Sequence, residues 1–294
     1  MANSLTIGAV IEDNYISAGL VNLDTRLAIS ETVRRKRINP SGTADDIISA
    51  WGNVLRDVIN LNTTGVNQIG IGLPGPVDYS SGYFLSNDAG RYGSLHKRNI
   101  IDLLKSELSE FSPEIKLIND AASFFQGEVF AGAVRGYKKS FGITLGMGLG
   151  SARYVNGAVE DANLWSMSFK NKIAEEYLSV RWLINRFKEL SGIEVLDLVE
   201  MKRFSPDARV DEVFAEFAQN LGEFLVEVIK KETPEVVLIG GHMESSNRFF
   251  FQKAADYVAS QGIKTPIMKA ILGEKAGIIG AGSVWYDDKQ LHAQ

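Results

Sequence analysis

The sequence contains no cysteine, which excludes disulfides, thiolate zinc centres and cysteine nucleophiles. Histidine is nearly as scarce: His96, His242 and His292 lie far apart, so a histidine-rich metal site is not expected. No apolar run approaches membrane-spanning length, and Met1-Ala-Asn-Ser-Leu5 lacks the basic-then-apolar order of a signal peptide. A soluble, cytoplasmic protein without a membrane partner is the expectation. Positive charge is not in excess either. The 31 Lys and Arg against 36 Asp and Glu give a net charge of −5, so the chain offers no overall electrostatic footprint for nucleic acid. The one basic run, Arg34-Arg-Lys-Arg37, reads as a solvated strand end.

What is present is ordinary globular composition over 294 residues, enough for two lobes. Leu5–Ile11, Tyr15–Asn22 and Arg26–Arg34 read as strands. Thr43-Ala-Asp-Asp46 opens a helix, with Thr43 as N-cap and an apolar stripe from Ile47 to Ile59. Gln68–Leu73 is a strand stopped by Pro74-Gly-Pro76. A helix over Asn99–Phe111, a strand over Ile115–Ile118 and a helix over Ala121–Ala131 follow. The pattern then restarts with a strand at Ser140–Leu145 and another at Ala152–Asn156. Helices are expected over Lys172–Leu190, Asp211–Lys231, Arg248–Ser260 and Lys275–Trp285, with strands at Glu235–Ile239 and Pro266–Lys269. The repeated opening suggests an internal duplication and two α/β lobes with a cleft between them. The boundaries implied are 1–118 for the first lobe and 119–282 for the second, with a last helix at about 283–294 packing back on the first.

Three segments carry chemistry. Thr144-Leu-Gly-Met-Gly-Leu-Gly150 alternates glycines after a strand, so backbone amides can approach an anion. Its G-x-G-x-G spacing is not the dinucleotide fingerprint, and a plain glycine hairpin fits it as well. Asn119-Asp120 stands at a strand-to-helix junction; Asp120 suits a general base, and helix capping suits the same pair. Ser86-Asn-Asp-Ala-Gly90 offers amide and carboxylate groups that could bridge the hydroxyls of a polyol, or merely form a turn. Gly240-Gly241, after the strand at Glu235–Ile239, allows either close approach of a flat ligand or a strand-to-helix turn.

These pieces occur in order along nearly the whole chain. Gly72-Leu-Pro-Gly-Pro-Val-Asp78, Ser86-Asn87, Asn119-Asp120-Ala121, Gly127-Glu128 with Gly136-Tyr137, Thr144–Gly150, Asn156-Gly157, Val237-Leu-Ile-Gly-Gly241 and Gly277-Ile-Ile-Gly-Ala281 resemble the ROK family of sugar kinases and related repressors. The resemblance implies the two-lobed, actin-like ATPase (ribonuclease H-like) α/β fold with a central cleft. It implies ATP-dependent phosphorylation of a hexose or amino-sugar hydroxyl, with ATP and Mg²⁺ as cofactors and a possible homodimer. On this pattern Asp120 takes the hydroxyl proton, and Asn87, Asp88 and Asn119 hold the sugar. Thr144, Gly146 and Gly148 line the phosphate site, and Gly240 and Gly241 the adenosine site. The repressor branch is disfavoured, because the first strand begins at once, without room for a helix-turn-helix.

Two departures stand out. The family's first strand ends in Asp-x-Gly-Gly-Thr, a loop touching the nucleotide phosphates; here Val10-Ile-Glu-Asp-Asn14 stands in its place. Glu12 and Asp13 bring negative charge, and one carboxylate about 5 Å from a phosphate costs roughly 3 kcal/mol at an effective dielectric near 20. Ala158–Ala174 is also short and lacks the family's Glu-x-Gly-His and zinc cysteines, so no zinc is expected. Glu175 could match the sugar-contacting acid that closes that segment, or be an exposed helix acid. The alternative to a kinase is therefore a catalytically impaired protein of the same fold that binds sugar or a partner.

Overall fold

The computed structural model describes residues 4–12, 14–62, 65–88 and 91–286. The chain forms two compact units, one of Met1–Arg135 with Glu274–Gln294 and one of Gly136–Gly273.

The first unit opens with β1 (Leu5–Ile11), β2 (Tyr15–Asn22), β3 (Leu27–Ala28), β4 (Arg34–Arg37) and α1 (Ala44–Asn60). It continues through β5 (Gln68–Leu73), β6 (Val77–Asp78), β7 (Tyr83–Phe84), α2 (Ile100–Glu107), β8 (Glu114–Asn119) and α3 (Asp120–Phe130). The expected single strand over Arg26–Arg34 is instead two short strands around a 3-10 turn at Ser30–Thr32. Arg26 takes φ 60°, and the Thr32 hydroxyl donates to Ile29 O while accepting from Leu20 N, which bends the chain away from the ladder. Helix α1 starts as its sequence dictates, with a capping box in which Thr43 and Asp46 exchange side-chain and backbone bonds. Its stripe of Ile47, Ile48, Trp51, Val54, Leu55, Val58 and Ile59 is buried against Ile7, Ala9 and Ile11 of β1.

The second unit carries β9 (Lys139–Leu145), β10 (Leu149–Val155), β11 (Ala158–Asp161), β12 (Ser168–Phe169) and β13 (Lys172–Ile173). Then come α4 (Val180–Ser191), α5 (Leu198–Lys202), α6 (Ala208–Glu232), β14 (Val236–Gly240), α7 (Asn247–Ser260) and β15 (Ile267–Lys269). The helix expected over Lys172–Leu190 begins only at Val180, because Lys172 and Ile173 pair with Phe169 and Ser168, and Ser179 supplies the N-cap. Phe214, Phe217, Leu221, Phe224 and Leu225 of α6 form the apolar face that the spacing predicts, packed with Phe141, Ile143 and Leu145 of β9.

The last described helix, α8 (Lys275–Ser283), returns to the first unit. Its small residues are the reason. A Cβ on Gly8 would lie 1.9 Å from Ile278 O, one on Gly70 1.8 Å from Ala281 O, and one on Gly280 1.7 Å from Ser123 O. The Ser123 hydroxyl, fully buried on α3, donates to Gly277 O at 2.8 Å. Backbone-to-backbone packing of this kind binds α3 and α8 to β1 and β5. The units therefore part at Arg135/Gly136 and Gly273/Glu274, where the sequence reading put 118/119 and 282/283. The helix expected at about 283–294 lies largely outside the described residues.

Each unit has the same sheet order. One runs β3-β2-β1-β5-β8 and the other β11-β10-β9-β14-β15. In both, an antiparallel hairpin is followed by two parallel strands. The duplication suggested by the repeated opening is thus a duplication of topology.

Candidate active site

Asn119 ends β8 and caps α3, its Oδ1 accepting from Ala122 N at 3.0 Å. Its Nδ2 donates to the Tyr79 hydroxyl at 3.1 Å, which donates to Leu73 O at 3.0 Å. Both polar ends of Asn119 are engaged by protein, so the capping role is real. Asp120 follows as the first residue of α3, half-buried, with Oδ1 accepting from Ala121 N at 2.9 Å. Its carboxylate therefore meets the positive end of an 11-residue helix.

The loop bearing Asn87 and Asp88 is anchored beside the Pro74-Gly-Pro76 turn, through Leu85 N to Pro76 O at 3.0 Å. Asp88 N donates to Ser86 Oγ, and Asp88 O accepts from Arg91 N. The residues Asn87 and Asp88 are exposed. Ala89 and Gly90 lie outside the described residues. Nearby, Asp78 is held down to about 2, first by the bonds it accepts from Ser81 and then by those from Ser80.

The turn joining β9 to β10 is Gly146-Met147-Gly148, between the paired Leu145 and Leu149. All four carbonyls leading through it are taken by protein donors: Leu145 O by Met243 N, Gly146 O by Val180 N, Met147 O by Arg181 Nε, and Gly148 O by Gly146 N. Leu149 N donates to Glu175 Oε2 at 2.9 Å. The consecutive N–H groups of Met147 and Gly148 have no protein acceptor among the described residues. The turn therefore presents two adjacent N–H groups to solvent, beside carbonyls that are all tied back.

The glycines there serve different ends. A Cβ on Gly146 would meet only His242, at 3.4 Å, so its face is open. A Cβ on Gly148 would lie 2.4 Å from Glu175 Oε2, so this glycine admits the carboxylate. Gly241 has φ +97°, and a Cβ there would sit 2.7 Å from Leu145 O; it makes room for the neighbouring strand. Thr144 is flanked by glycine on both sides, paired with Gly150 on β10 and Gly240 on β14.

Glu175 sits in the 3-10 turn Ala174–Glu176, between wholly buried Ala174 and Leu178. Besides Leu149 N, it binds Arg181 Nη2 at 2.6 Å. The structure thus brings Glu175 to the glycine turn, together with Gly146, Gly148 and the Gly240-Gly241 strand end of the same unit. Asn119, Asp120, Asn87 and Asp88 belong to the other unit.

At the end of β1, Glu12 N donates to Tyr15 O of β2 at 2.8 Å. The Glu12 carboxylate pairs with Arg35 Nη2 at 3.2 Å, and the Arg35 guanidinium also lies 4.6 Å from the Tyr15 ring centroid. The basic run is therefore more than a solvated strand end, since one of its members offsets the acid at the turn. Asp13 lies outside the described residues. Val10 packs towards α8, where a Cβ on Gly277 would approach its Cγ2 to 2.6 Å.

Sequence reasoning missed Arg35, Tyr79 and Arg181. For Arg181 there was a signal: a cation in the first turn of a helix, where the dipole favours anions, needs a local partner.

Comparison with known proteins bears on the whole chain. The family model described as "ROK family" matches residues 12–161, half the chain. The glucokinase of Thermotoga maritima is 24% identical over 314 aligned positions, covering 95% of this chain and 96% of that protein. The ROK hexokinase of Thermus thermophilus superposes with a TM-score of 0.80 at 20% identity, over 99% of this chain and 100% of that one. A ROK glucokinase from Streptomyces griseus, in complex with glucose and AMPPNP, gives a TM-score of 0.77 at 21% identity, over 95% and 98% of the two chains. The fold is that of the ROK sugar kinases, the two-lobed actin-like ATPase fold.

Proposed function

The chain belongs to the ROK family, and from that premise we propose that it is a sugar kinase, transferring the γ-phosphoryl of MgATP to a hydroxyl of a hexose or amino sugar. The observation that carries the reading is the Gly146–Gly148 turn, with its carbonyls tied back and the amides of Met147 and Gly148 unpaired. Phosphoryl transfer asks for little covalent chemistry from the protein, mainly positioning and charge stabilisation. Amides of the turn hold phosphate oxygens, and Gly146 leaves room for their approach. Gly240 and Gly241 line the adenosine side. Asn87 and Asp88, exposed on an anchored loop, hydrogen-bond sugar hydroxyls, and Asn119 sets the start of α3. Asp120 accepts the proton of the attacking hydroxyl as the new oxygen–phosphorus bond forms and ADP leaves.

The charge at the first turn does not oppose this reading as the bare sequence suggests. Glu12 is half-buried and paired with Arg35, whose guanidinium also lies 3.5 Å from Glu274 Oε1, so a phosphate nearby meets a partly offset carboxylate rather than a lone one. Val10 favours a second reading, a catalytically impaired sugar-binding protein. It puts an apolar side chain where the family has an acid.

Purified protein with MgATP and a panel of hexoses and amino sugars tests both. Turnover that Asp120→Ala abolishes, with nucleotide binding by calorimetry retained, supports the kinase. Absence of turnover and of nucleotide binding overturns it, and sugar binding without turnover selects the second reading.

A further inference from the structure

Glu175 and Arg181 do more than pair with each other. Glu175 Oε2 accepts from Leu149 N at 2.9 Å, and its Oε1 accepts from Arg181 Nη2 at 2.6 Å. Arg181 Nε then donates to Met147 O at 3.1 Å. The three bonds run from the far side of the glycine turn, through the ion pair, to its apex. Gly148 has no side chain where the carboxylate passes. Ser179 caps α4, and Val180 N holds Gly146 O at 2.8 Å, so Arg181 is delivered by a helix start that is itself bonded to the turn.

We propose that Glu175 and Arg181 are positioning residues that staple the Gly146–Gly148 turn into the shape in which the amides of Met147 and Gly148 receive a phosphate. This rests on the kinase reading for the identity of the anion, though not for the existence of the staple. It assigns Glu175 to the nucleotide side rather than to the sugar, and gives Arg181 a role through Met147 rather than through a ligand. The two members are unequal. The Glu175 side chain is 21% exposed and satisfies a backbone amide, whereas that of Arg181 is 59% exposed and screened. Loss of Glu175 leaves Leu149 N without its acceptor, and loss of Arg181 leaves that bond intact.

The test uses the full chain with the variants Glu175→Ala, Glu175→Gln and Arg181→Ala. Amide hydrogen exchange at Leu149 is followed without nucleotide, ADP affinity is measured by calorimetry, and the KM values for nucleotide and sugar are compared. Glu175→Ala is expected to speed exchange at Leu149 about tenfold or more, and to weaken ADP about ten- to a hundredfold. Arg181→Ala is expected to weaken ADP about three- to fivefold. Glu175→Gln keeps a carbonyl acceptor for Leu149 N and is expected to recover most of the affinity. In each variant the nucleotide KM rises and the sugar KM stays near that of the parent protein. Unchanged exchange at Leu149 in Glu175→Ala overturns the proposal. So does a rise in sugar KM with ADP affinity unaltered. If the parent protein binds no ADP, the kinase reading fails while the exchange measurement still decides the staple. If Glu175→Ala does not fold, Arg181→Ala decides: ADP affinity unaltered in that variant, or a rise in its sugar KM instead, overturns the proposal.

Discussion

The β1–β2 turn and the β9–β10 turn hold the same place in two sheets of the same order, yet they are built from opposite materials. Val10 on β1 pairs with Ser17 and Gly72, and Thr144 on β9 pairs with Gly150 and Gly240. Two residues further on, the first turn has Glu12 within it, and the second has Gly146, Met147 and Gly148. Both turns are braced by a glutamate–arginine pair. In the first, the acid is part of the turn and the cation comes from β4; in the second, both charges lie outside and reach in. Topology thus fixes where a hairpin end falls, and turn chemistry decides whether its amides are available. A carboxylate within the turn needs its own counter-charge. A carboxylate outside it can accept from the chain and leave the apex amides unpaired.

The largest effect expected from this contrast is at Gly241, whose counterpart next to Gly72 is the ordinary residue Leu73. Gly241→Ala adds a left-handed strain and a contact 2.7 Å from Leu145 O. A loss of about 2–4 kcal/mol of stability is expected in chemical denaturation. A loss below about 0.5 kcal/mol would break the comparison.

Gly148→Ala comes next. Its Cβ needs the space of the Glu175 carboxylate, so nucleotide affinity is expected to fall about tenfold or more, read by calorimetry. Gly146→Ala is the control for steric fit, since its Cβ meets only His242 at 3.4 Å; the fold should be retained, and any effect should fall on ligand approach.

Arg35→Ala then probes the first turn. It removes the guanidinium that offsets the Glu12 carboxylate, and nucleotide binding is expected to weaken by about three- to tenfold at low salt, less at high salt. The double variant Glu12→Gln with Arg35→Ala should restore most of it, because the acid at the turn is removed while the exposed Glu274, the other partner of Arg35, remains. Failure of the double variant to restore affinity would mean that the pair acts through packing.

The smallest effect concerns acid. Among the described residues, Asp78 in the first unit, through Ser81 and Ser80, and Asp207 in the second, through Arg209, are held down to about 2. Both folded values lie below the ordinary 3.8, so each contribution to stability is complete above about pH 4 and is lost as pH falls towards 2. Carboxylate titration by NMR should give both midpoints near 2, and Asp78→Asn should flatten only the first unit's share of the acid limb.

Much of the fold is legible in the chain, and the reasons are local. The Thr43–Asp46 capping box, the α1 stripe and the proline stop after Leu73 each involve neighbours within a few residues, where sequence spacing is spatial spacing. The Asn119 cap and the helix start at Asp120 are of the same kind. The misses are non-local or depend on a competing bond. Arg26–Arg34 reads as one strand until Thr32 bonds Leu20 and Ile29. The unit boundary reads as 118/119 until α8 returns to lie on α3. Arg35 reads as solvated until the sheet register brings it to Glu12.

By itself the sequence determined the α/β class, the family and the candidate groups, because ordered motifs and periodicity are properties of the chain. Only the tertiary structure decided what each group touches. It distinguished a glycine that opens a face, Gly146, from one that admits a carboxylate, Gly148, and one that admits a strand, Gly241. It also turned Glu12 from a lone charge into half of an ion pair. The physical reason is that a residue's energy in the folded state depends on distance, and the distances that matter here join segments far apart in sequence.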